Sequence, residues 1–323
     1  MKQGVLCSIT TKGRYHSTLA MSIMSVATQT ELPDHLVIFD DNDPVEDIRE
    51  IPTLRHVLCI LEEKKLSWEV IFGRKQGPHH NHQIANRMGF EWVWRLDDDT
   101  VAEANALKIL KTHLASDVGA VGGSVLTPPF LKNTNATGLI DKVEEQSIQW
   151  DYITEKKAVD HLHCSFLYRA GIHDYNLALS PVGFREETLF TWGLKQKGYQ
   201  IFIVPNVVTW HLKNPVGGIR QHQELMYQKD DAIFRNHLHY RDNTIVVLDC
   251  GMGDHVVFQK VLPLIKNPVV FSCYPDLVPG RSIGEAQHLF GDISYFNVYQ
   301  KMEQWEWKDS LEKAYRKLYG VDK

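Results

Sequence analysis

The sequence predicts an α/β fold with a mostly parallel sheet. Apolar segments rich in β-branched and aromatic residues, at 5–9, 35–39, 68–72 and 90–96, alternate with segments of helical spacing. Such an alternation places its strands side by side in parallel, with helices on both faces of the sheet. A polar cluster follows each of these strands. Because ligands of such sheets bind at the carboxyl ends of the strands, we expect a ligand site along that edge.

The length and charge indicate a globular protein of two domains. At 323 residues the chain exceeds one typical domain, and we predict a large domain at 1–240 and a small α/β domain at 241–323. A net charge of -5 argues against nucleic acid or an anionic membrane as a partner. We expect no membrane span, because no apolar run approaches the roughly 20 residues that cross a bilayer, and no signal peptide is apparent.

The cysteines indicate a reducing compartment. Cys7, Cys59, Cys164, Cys250 and Cys273 are far apart in the chain, and no CxxC pair occurs. Most of them lie in apolar segments, as reduced core cysteines do. We therefore expect a cytoplasmic protein.

A polar turn follows the first strand and precedes a predicted helix at 16–28. It contains Thr10, Thr11, Lys12 and Arg14. Hydroxyl groups and cations at the carboxyl end of a strand suit a nucleotide or a phosphate. A basic surface turn is the alternative.

Acidic residues follow the second strand. Asp40 and Asp41 stand where α/β proteins often place a carboxylate that binds a ribose or a base edge. An Asx-Pro turn, formed with Pro44, explains the same residues without a ligand.

The loop at 73–82 leads into a predicted helix at 83–89. Its histidines, His79, His80 and His82, raise the possibility of zinc, but no Cys or carboxylate cluster follows at ligand spacing. We favour the alternative, in which the polar loop and the helix N-terminus face an anionic ligand.

Three consecutive carboxylates, Asp97, Asp98 and Asp99, follow the strand at 90–96. Adjacent carboxylates repel one another and are costly to bury, so such a group usually holds a cation. Carboxylate oxygens suit Mg²⁺ or Mn²⁺, with a diphosphate completing the coordination shell. The alternative is a solvated acidic turn that caps a helix at 102–114.

The strand–helix alternation breaks after a strand at 118–125. A polar excursion at 127–157 follows, and a long excursion of this kind usually shapes a binding site. Within and after it, the segments 148–153 and 158–168 have the pattern of two paired strands.

Three further features follow the excursion. Glu186 and Glu187 precede a predicted helix at 188–197, where they either complement the helix dipole or supply a general base. His211 on its own is typical of a packed histidine. Gly217 and Gly218 form a hinge-like loop that suits a lid.

In their order these motifs resemble the family 2 glycosyltransferases of the GT-A fold, and the resemblance covers residues 4–238. It rests on the turn at 10–14, the acidic pair at 40–41, residues 77–81, the triplet at 97–99, the pair at 186–187 before a helix ending at Gly198, and Trp210-His211 before a Gly-Gly loop. The resemblance implies a GT-A type, Rossmann-like nucleotide-binding core with a DXD-type metal motif.

The same resemblance implies a nucleotide-diphosphate sugar donor bound through Mn²⁺ or Mg²⁺. The implied donor-binding residues are Thr10, Thr11, Lys12, Arg14, Asp40, Asp41, Gly77, Asn81, Asp97 and Asp98. The implied metal ligands are Asp99, His211 and Asp97. Glu187 would be the general base, with Glu186 beside it. The family's usual pair at this point is Glu-Asp, so a glutamate at 187 departs from the pattern.

The expected chemistry is metal-dependent, inverting glycosyl transfer. Departure of a nucleoside diphosphate develops negative charge that a divalent metal stabilises, and the acceptor hydroxyl needs a carboxylate as base. One base with in-line attack inverts the anomeric centre. The acceptor is expected to be a saccharide or another hydroxyl compound of surface polysaccharide or glycoconjugate synthesis, with a modified DNA base as a remote alternative.

Two other functions use some of these residues. A nucleotidyltransferase also places carboxylates and metal around a nucleotide, but it releases pyrophosphate and needs no base at 186–187. A non-catalytic module that binds a nucleotide sugar needs no base at all.

The C-terminal segment has its own strand–helix–strand pattern, with strands at 245–248 and 269–273 around a helix at 255–265. Its turn at 249–254 resembles the start of the family 9, heptosyltransferase-like glycosyltransferases, and a tight strand-to-helix turn is the alternative. An amphipathic helix is predicted at 310–318. We predict that 241–323 binds the acceptor or assembles a homo-oligomer.

Overall fold

The computed structural model describes residues 2–128, 136–140, 147–213, 217–218, 224–242, 245–249 and 269–273. Contacts divide the chain into two compact units, Met1–Ile233 and Phe234–Lys323. In the described part of the chain, no helix combines the length and apolar character needed to cross a bilayer.

The first unit contains a nine-stranded mixed sheet. Its strands are β1 (Lys2–Thr11), β2 (His35–Asp40), β3 (Ser67–Phe72), β4 (Phe90–Asp97), β5 (Thr100–Ala102), β6 (Val118–Leu126), β7 (Lys157–Ala158), β8 (Phe166–Arg169) and β9 (Gln200–His211). They lie in the order β3-β2-β1-β4-β8-β6-β9-β5, and β7 pairs with β9. β1 is parallel to β2 and β4, β2 to β3, and β6 to β9, whereas β8 is antiparallel to β4 and β6. The predicted α/β class with a mainly parallel sheet is therefore confirmed.

Helices cover both faces of this sheet. Successive residues of a strand point to opposite faces, so neighbouring residues of one strand pack against different helices. These helices are α1 (Leu19–Ala27), α2 (Pro52–Glu63), α3 (Pro78–Asn86), α4 (Ala106–Lys111) and α5 (Glu186–Gln196). A sixth helix, α6 (Glu224–Asp242), begins in the first unit and extends beyond its last residue, Ile233. On β1, Cys7 and Ile9 pack in one apolar core with residues of α1, α2 and α4. Leu6, which precedes Cys7 and points to the other face, belongs to a second core with residues of α3 and α5.

Helix α2 is absent from our sequence-based prediction, although its residues account for it. Pro52 stands in the first turn, where its missing N–H costs no hydrogen bond. Leu54, Leu58 and Leu61 are its buried residues, and their spacing places them on one face. The polar residues between them face solvent.

Two predictions of secondary structure are wrong. The segments 148–153 and 158–168 are not paired strands: Ile148–Trp150 is a short 3-10 helix capped by the Ser147 hydroxyl, and only β7 and β8 are strands in this region. The helix predicted at 102–114 is shorter, because residues 100–102 form β5 and α4 begins after its N-cap, Asn105. The acidic triplet therefore does not cap that helix.

The second unit contains a parallel pair of strands, β10 (Ile245–Asp249) and β11 (Val269–Cys273). Both strands were predicted. The predicted helices at 255–265 and 310–318, and the turn at 250–254 that resembles family 9, lie outside the described residues.

Candidate active site

The polar clusters converge at the carboxyl edge of the central parallel strands. Thr11 at the end of β1 is level with Asp40 at the end of β2, and Thr10 is level with Asp97 at the end of β4. Strand register alone thus brings together groups that are up to 87 residues apart in the chain, such as Thr11 and Asp98. This is the edge at which open α/β sheets bind ligands.

Asp98 is held by the turn that follows β1. Its Oδ2 accepts hydrogen bonds from the Thr11 hydroxyl at 2.8 Å and from the Lys12 backbone N–H at 3.3 Å. Its Oδ1 lies 3.4 Å from Nη1 of Arg14. Burial raises the pKa of Asp98 to about 7, with the Arg14 charge opposing that rise. Asp98 is therefore a buried anchor for the β1 turn in this structure.

Asp99 meets His211, the histidine that the sequence alone could not place. Residues of β5 and β9 pair in antiparallel fashion with Thr100 opposite His211, and the Leu212 N–H donates to the Asp99 carbonyl. This pairing leaves His211 Nε2 3.3 Å from Asp99 Oδ2. Arg14 forms an ion pair with the same carboxylate oxygen. Although burial acts to raise the pKa of Asp99, the His211 hydrogen bond and the Arg14 charge lower it to about 2.

Asp99 and His211 fit a divalent cation. Two ligands on adjacent positions of an octahedral ion lie about 3 Å apart when the bonds are about 2.1 Å, close to the 3.3 Å observed here. An oxygen and an imidazole nitrogen suit Mn²⁺, and an all-oxygen shell completed by phosphate and water suits Mg²⁺. Asp97 points elsewhere, since its Oδ1 lies 3.3 Å from Nη2 of Arg95. The structure therefore brings together two of the three predicted metal ligands.

Glu186 and Glu187 open helix α5 and share one buried cation, Arg95. Nη2 of Arg95 donates to Oε1 of Glu186 at 3.0 Å and to Oε1 of Glu187 at 2.9 Å. All three side chains are about 1% exposed. Arg185, just before the helix, has a positive φ of 71°, which turns the chain into the helix. Arg95 was not predicted, although a cation in a buried strand always needs a partner.

His163 is a second group beside Glu187 that the sequence did not indicate. Its Nδ1 lies 3.8 Å from Oε1 of Glu187. The Trp150 ring packs edge-on against His163 at 5.1 Å between centroids, and lies at a tilt of 40° to the His211 ring at 5.8 Å. Trp150 therefore contacts both the histidine beside Asp99 and the histidine beside Glu187. These contacts arise from tertiary structure, and no local pattern in the sequence marks them.

Of the two predicted nucleoside-binding aspartates, Asp40 is engaged by contacts within the protein, whereas Asp41 lies beside Asn81. Asp40 has both oxygens engaged within the protein: Oδ1 accepts from the N–H and the side-chain amide of Asn42, and Oδ2 accepts from the Tyr15 hydroxyl. Asp41 lies beside Asn81, and burial raises its pKa while the Asn81 hydrogen bond opposes the rise. A Cβ at Gly73 would stand only 1.7 Å from Asp41 Oδ1, so any other residue there would displace the Asp41 carboxylate.

Helix α3 begins at Pro78, five residues before the predicted helix at 83–89, and Gly77, a predicted donor-binding residue, is its N-cap with a φ of 112°. A Cβ at Gly77 would meet the Pro181 carbonyl oxygen at 2.6 Å, so this glycine permits a close backbone approach. The neighbouring His79 and His82 are almost fully buried, and burial lowers the pKa of both, to about 3 for His79. Within the described residues, neither histidine belongs to a group of three metal-ligating side chains.

The Gly-Gly loop closes on the turn after β1. The Gly218 N–H donates to the Lys12 carbonyl at 2.7 Å. A Cβ at Gly13 would stand 2.9 Å from Gly217 Cα, and one at Gly217 would stand 2.1 Å from the Gly13 carbonyl oxygen. Both backbones approach this closely because neither has a side chain, and both have positive φ.

The sheet and its helices are similar to those of solved glycosyltransferases. The crystal structure of GalNAc-T7 with UDP, GalNAc and Mn²⁺ superposes with a TM-score of 0.54 at 14% identity, over 74% of this chain and 50% of that one. S. aureus TarS 1–349 in complex with UDP gives a TM-score of 0.49 at 14% identity, over 75% of this chain and 74% of that one. The main sheet has the GT-A fold.

Sequence similarity is more local. Galactofuranosyltransferase GlfT1 of Mycolicibacterium smegmatis is 28% identical over 142 residues, which are 42% of this chain and 45% of that protein. The match thus spans less than half the length of that relative. No family model matches the sequence.

Proposed function

We propose that the protein is a metal-dependent, inverting glycosyltransferase of family 2. It would transfer a sugar from a nucleoside-diphosphate sugar to a hydroxyl of a saccharide acceptor. The observation that carries the proposal is the pairing of Asp99 with His211 at the carboxyl edge of a GT-A sheet. The local sequence similarity of the chain to GlfT1, and the similarity of its fold to GalNAc-T7, which was solved with UDP and Mn²⁺, also support glycosyl transfer.

In this proposal Asp99 and His211 hold Mn²⁺ or Mg²⁺, which stabilises the negative charge that develops on the departing diphosphate. The ion pair between Arg14 and Asp99 gives way when the metal binds, which leaves the guanidinium available for a phosphate oxygen. Thr11 keeps Asp98 fixed below that group. Asp41 and Asn81 bind the nucleoside, whereas Asp40 acts by holding Tyr15 and Asn42 in place.

Glu187 is the proposed general base, and its surroundings support it over Glu186. The Glu187 carboxylate lies against His163, and the His163 side chain is 24% exposed. Glu187 is therefore close to a side chain that reaches the cleft. Arg95 donates a hydrogen bond to each of the two glutamates, and a buried cation of this kind stabilises a carboxylate charge. The base would accept the acceptor hydroxyl proton as the sugar is transferred.

The experiment that tests the function combines ligand binding with turnover. Thermal unfolding is followed with UDP, other nucleoside diphosphates and UDP-sugars, including UDP-galactofuranose, each with Mn²⁺ and with a chelator. We expect a metal-dependent stabilisation by one nucleoside diphosphate, and release of that diphosphate when sugar donor and saccharide acceptors are present. Folded protein that shows neither would contradict the proposal, and pyrophosphate release from a nucleoside triphosphate would instead indicate a nucleotidyltransferase.

Two matched variants test the base. Glu187→Gln should lower kcat by at least two orders of magnitude while leaving the Kd for the donor within a few fold, because general-base catalysis contributes about 10²–10⁴ in rate. Glu186→Gln is the control at the adjacent position. If Glu187→Gln retains the parent rate, Glu187 has no part in catalysis.

A further inference from the structure

Beside the proposed base, three side chains of different chemistry converge. His163, Cys164 and Glu187 each present one ligand atom, and the three atoms lie within 4.8 Å of one another. His163 Nδ1 is 3.8 Å from Glu187 Oε1. Two ligands of one tetrahedral ion with bonds of about 2.1 Å are about 3.4 Å apart, so a movement of a few tenths of an ångström at this pair would fit one ion.

An unusual turn presents the adjacent His163 and Cys164 to the same point. Cys164 has a φ of 52°, and the Ser165 N–H donates to the His163 carbonyl at 2.6 Å. These features describe a three-residue γ-turn of the rare form with positive φ. In an extended strand, adjacent side chains would point to opposite faces. The turn therefore accounts for a histidine and a cysteine next to each other in the chain acting at one point.

The buried Gln149 holds this turn in place from both sides. Its Oε1 accepts a hydrogen bond from the His163 N–H at 2.5 Å, and its Nε2 donates to the Ser165 carbonyl at 3.4 Å and the Gly123 carbonyl at 2.9 Å. Support of this kind orients ligand side chains before a metal binds. The group is thus fixed by the fold rather than by an exposed, mobile loop.

The group lies beside further carboxylates. Arg95 contacts three carboxylates, those of Asp97, Glu186 and Glu187, at 2.9–3.3 Å. Three acidic side chains thus meet at one guanidinium, which makes the region around Glu187 rich in carboxylate oxygens. Carboxylate oxygens are ligands that a metal ion uses in proteins.

We propose that His163, Cys164 and Glu187 bind a thiophilic divalent cation of the Zn²⁺ class, at a site separate from Asp99 and His211. Thiolate, imidazole and carboxylate are the ligands that Zn²⁺ uses in proteins, and a three-residue set leaves one position for water or another ligand. Hard cations such as Mg²⁺ are disfavoured by the thiolate. The side chain of His163 is 24% exposed, which provides an entry path to the otherwise buried group.

This site has a consequence that rests on the proposed function. Because Glu187 becomes a metal ligand, its carboxylate is no longer available as a base, so Zn²⁺ bound here inhibits glycosyl transfer. Zinc would then oppose Mn²⁺ at a different place in the same cleft.

The test uses the full chain with the exposed Cys59 replaced, Cys59→Ser, so that this accessible thiol does not bind metal. Co²⁺, a spectroscopic substitute for Zn²⁺, is titrated in, and Zn²⁺ affinity is measured by competition with a chromogenic chelator. We expect one thiolate-bound ion per chain, with a near-ultraviolet thiolate-to-cobalt charge-transfer band, and affinity that falls as the pH is lowered, because the ligands must lose protons. Adding Cys164→Ser should abolish the band, and adding His163→Gln should weaken Zn²⁺ binding at least tenfold.

Several results would overturn the inference. One is a charge-transfer band that persists in Cys164→Ser, and another is Zn²⁺ affinity that is equal in all variants. Loss of binding only in Asp99→Ala would place zinc at the other site. If Cys164→Ser does not fold, the absence of a band in the Cys59→Ser protein alone decides against thiolate ligation. These readouts measure binding, so they remain informative even if no glycosyl transfer is found.

Discussion

Replacement of Arg95 by methionine tests the buried charge cluster under the proposed base. Methionine fills most of the volume of the arginine stem but carries no charge. It leaves Glu186 and Glu187 buried at about 1% exposure without their shared cation. Removal of one partner from a buried ion pair costs about 3–5 kcal/mol, because the remaining charge has lost its partner and cannot reach water.

The distances support a value in the middle of that range. At about 3 Å and an effective dielectric constant near 20, each contact represents about 5 kcal/mol of gross attraction. Three such contacts are lost, at 2.9, 3.0 and 3.3 Å. The desolvation cost of the guanidinium disappears at the same time and offsets much of this loss. We therefore expect a net destabilisation of about 4 kcal/mol, a large part of the 5–15 kcal/mol typical of a folded domain.

Urea unfolding followed by tryptophan fluorescence measures this change, because six of the eight tryptophans lie before residue 234. The midpoint should fall by roughly 1–2 M at an m-value of about 2–3 kcal/mol/M. Adding Glu186→Gln to Arg95→Met should restore about 1–3 kcal/mol, since one uncompensated charge is then removed. The control is Arg169→Met on the neighbouring strand β8, whose guanidinium pairs with the partly exposed Glu91 and donates to the Val118 and Ala115 carbonyls. This change leaves no fully buried carboxylate without its cation, so it should cost less than Arg95→Met. A loss below 1 kcal/mol in Arg95→Met, or no restoration in the double variant, would refute this account of the cluster.

Three further predictions concern the surrounding structure. Gly73→Ala should weaken nucleoside diphosphate binding about tenfold by calorimetry, because its Cβ would displace the Asp41 carboxylate; unchanged affinity would exclude Asp41 from the site. Asp230→Ala should cost about 3 kcal/mol in urea unfolding and speed amide exchange at 180–184, because Asp230 accepts hydrogen bonds from the Ser180 N–H and hydroxyl and from the Phe184 N–H; exchange as slow as in the parent would contradict it. Burial lowers the pKa of His79 to about 3. Between about pH 6.5 and 3, therefore, His79 takes up a proton in the unfolded state but not in the folded state. The stability that the neutral, buried His79 provides is complete above about pH 6.5 and is lost as the pH falls toward 3. His79→Phe should therefore lose about 1.4 kcal/mol less than the parent between pH 7.5 and 5.5, whereas a variant of the exposed His56, His56→Gln, should match the parent.

The sequence allowed the prediction of those features that follow from local pattern and strand order. The apolar segments of β1 to β4 set the parallel core, and parallel strands necessarily bring their carboxyl ends to one edge. Thr11, Asp41 and Asp98 could therefore be assigned to one site without a structure. The resemblance supplied His211, and the antiparallel pairing of β5 with β9 shows why that histidine reaches Asp99.

The features that were missed depend on tertiary contacts. The segment 148–168 contains strand-forming residues, but Gln149 is buried and uses its amide to bond Gly123 and His163, which a strand pairing would not allow. The three residues of β5 are too few for a period to be recognised. Arg95 was visible as a charge in an apolar strand, yet its partners lie 91 and 92 residues away, and only the fold identifies them.

The location of Trp150 connects the two charged groups of the cleft. Its ring contacts both His211 and His163, and Nζ of Lys213 lies 5.6 Å from its centroid. In the proposed reaction the diphosphate is held beside His211 and the acceptor hydroxyl is deprotonated beside His163, so the transferred sugar would lie close to this ring. Aromatic faces bind the apolar face of a sugar ring, and a neighbouring cation is attracted to the same π-system. If the ring positions the sugar, Trp150→Phe should retain most of the turnover, whereas Trp150→Ala should lower kcat/KM by at least tenfold with an unchanged Kd for the nucleoside diphosphate. Equal rates in the two variants would instead show that the Trp150 ring does not position the sugar.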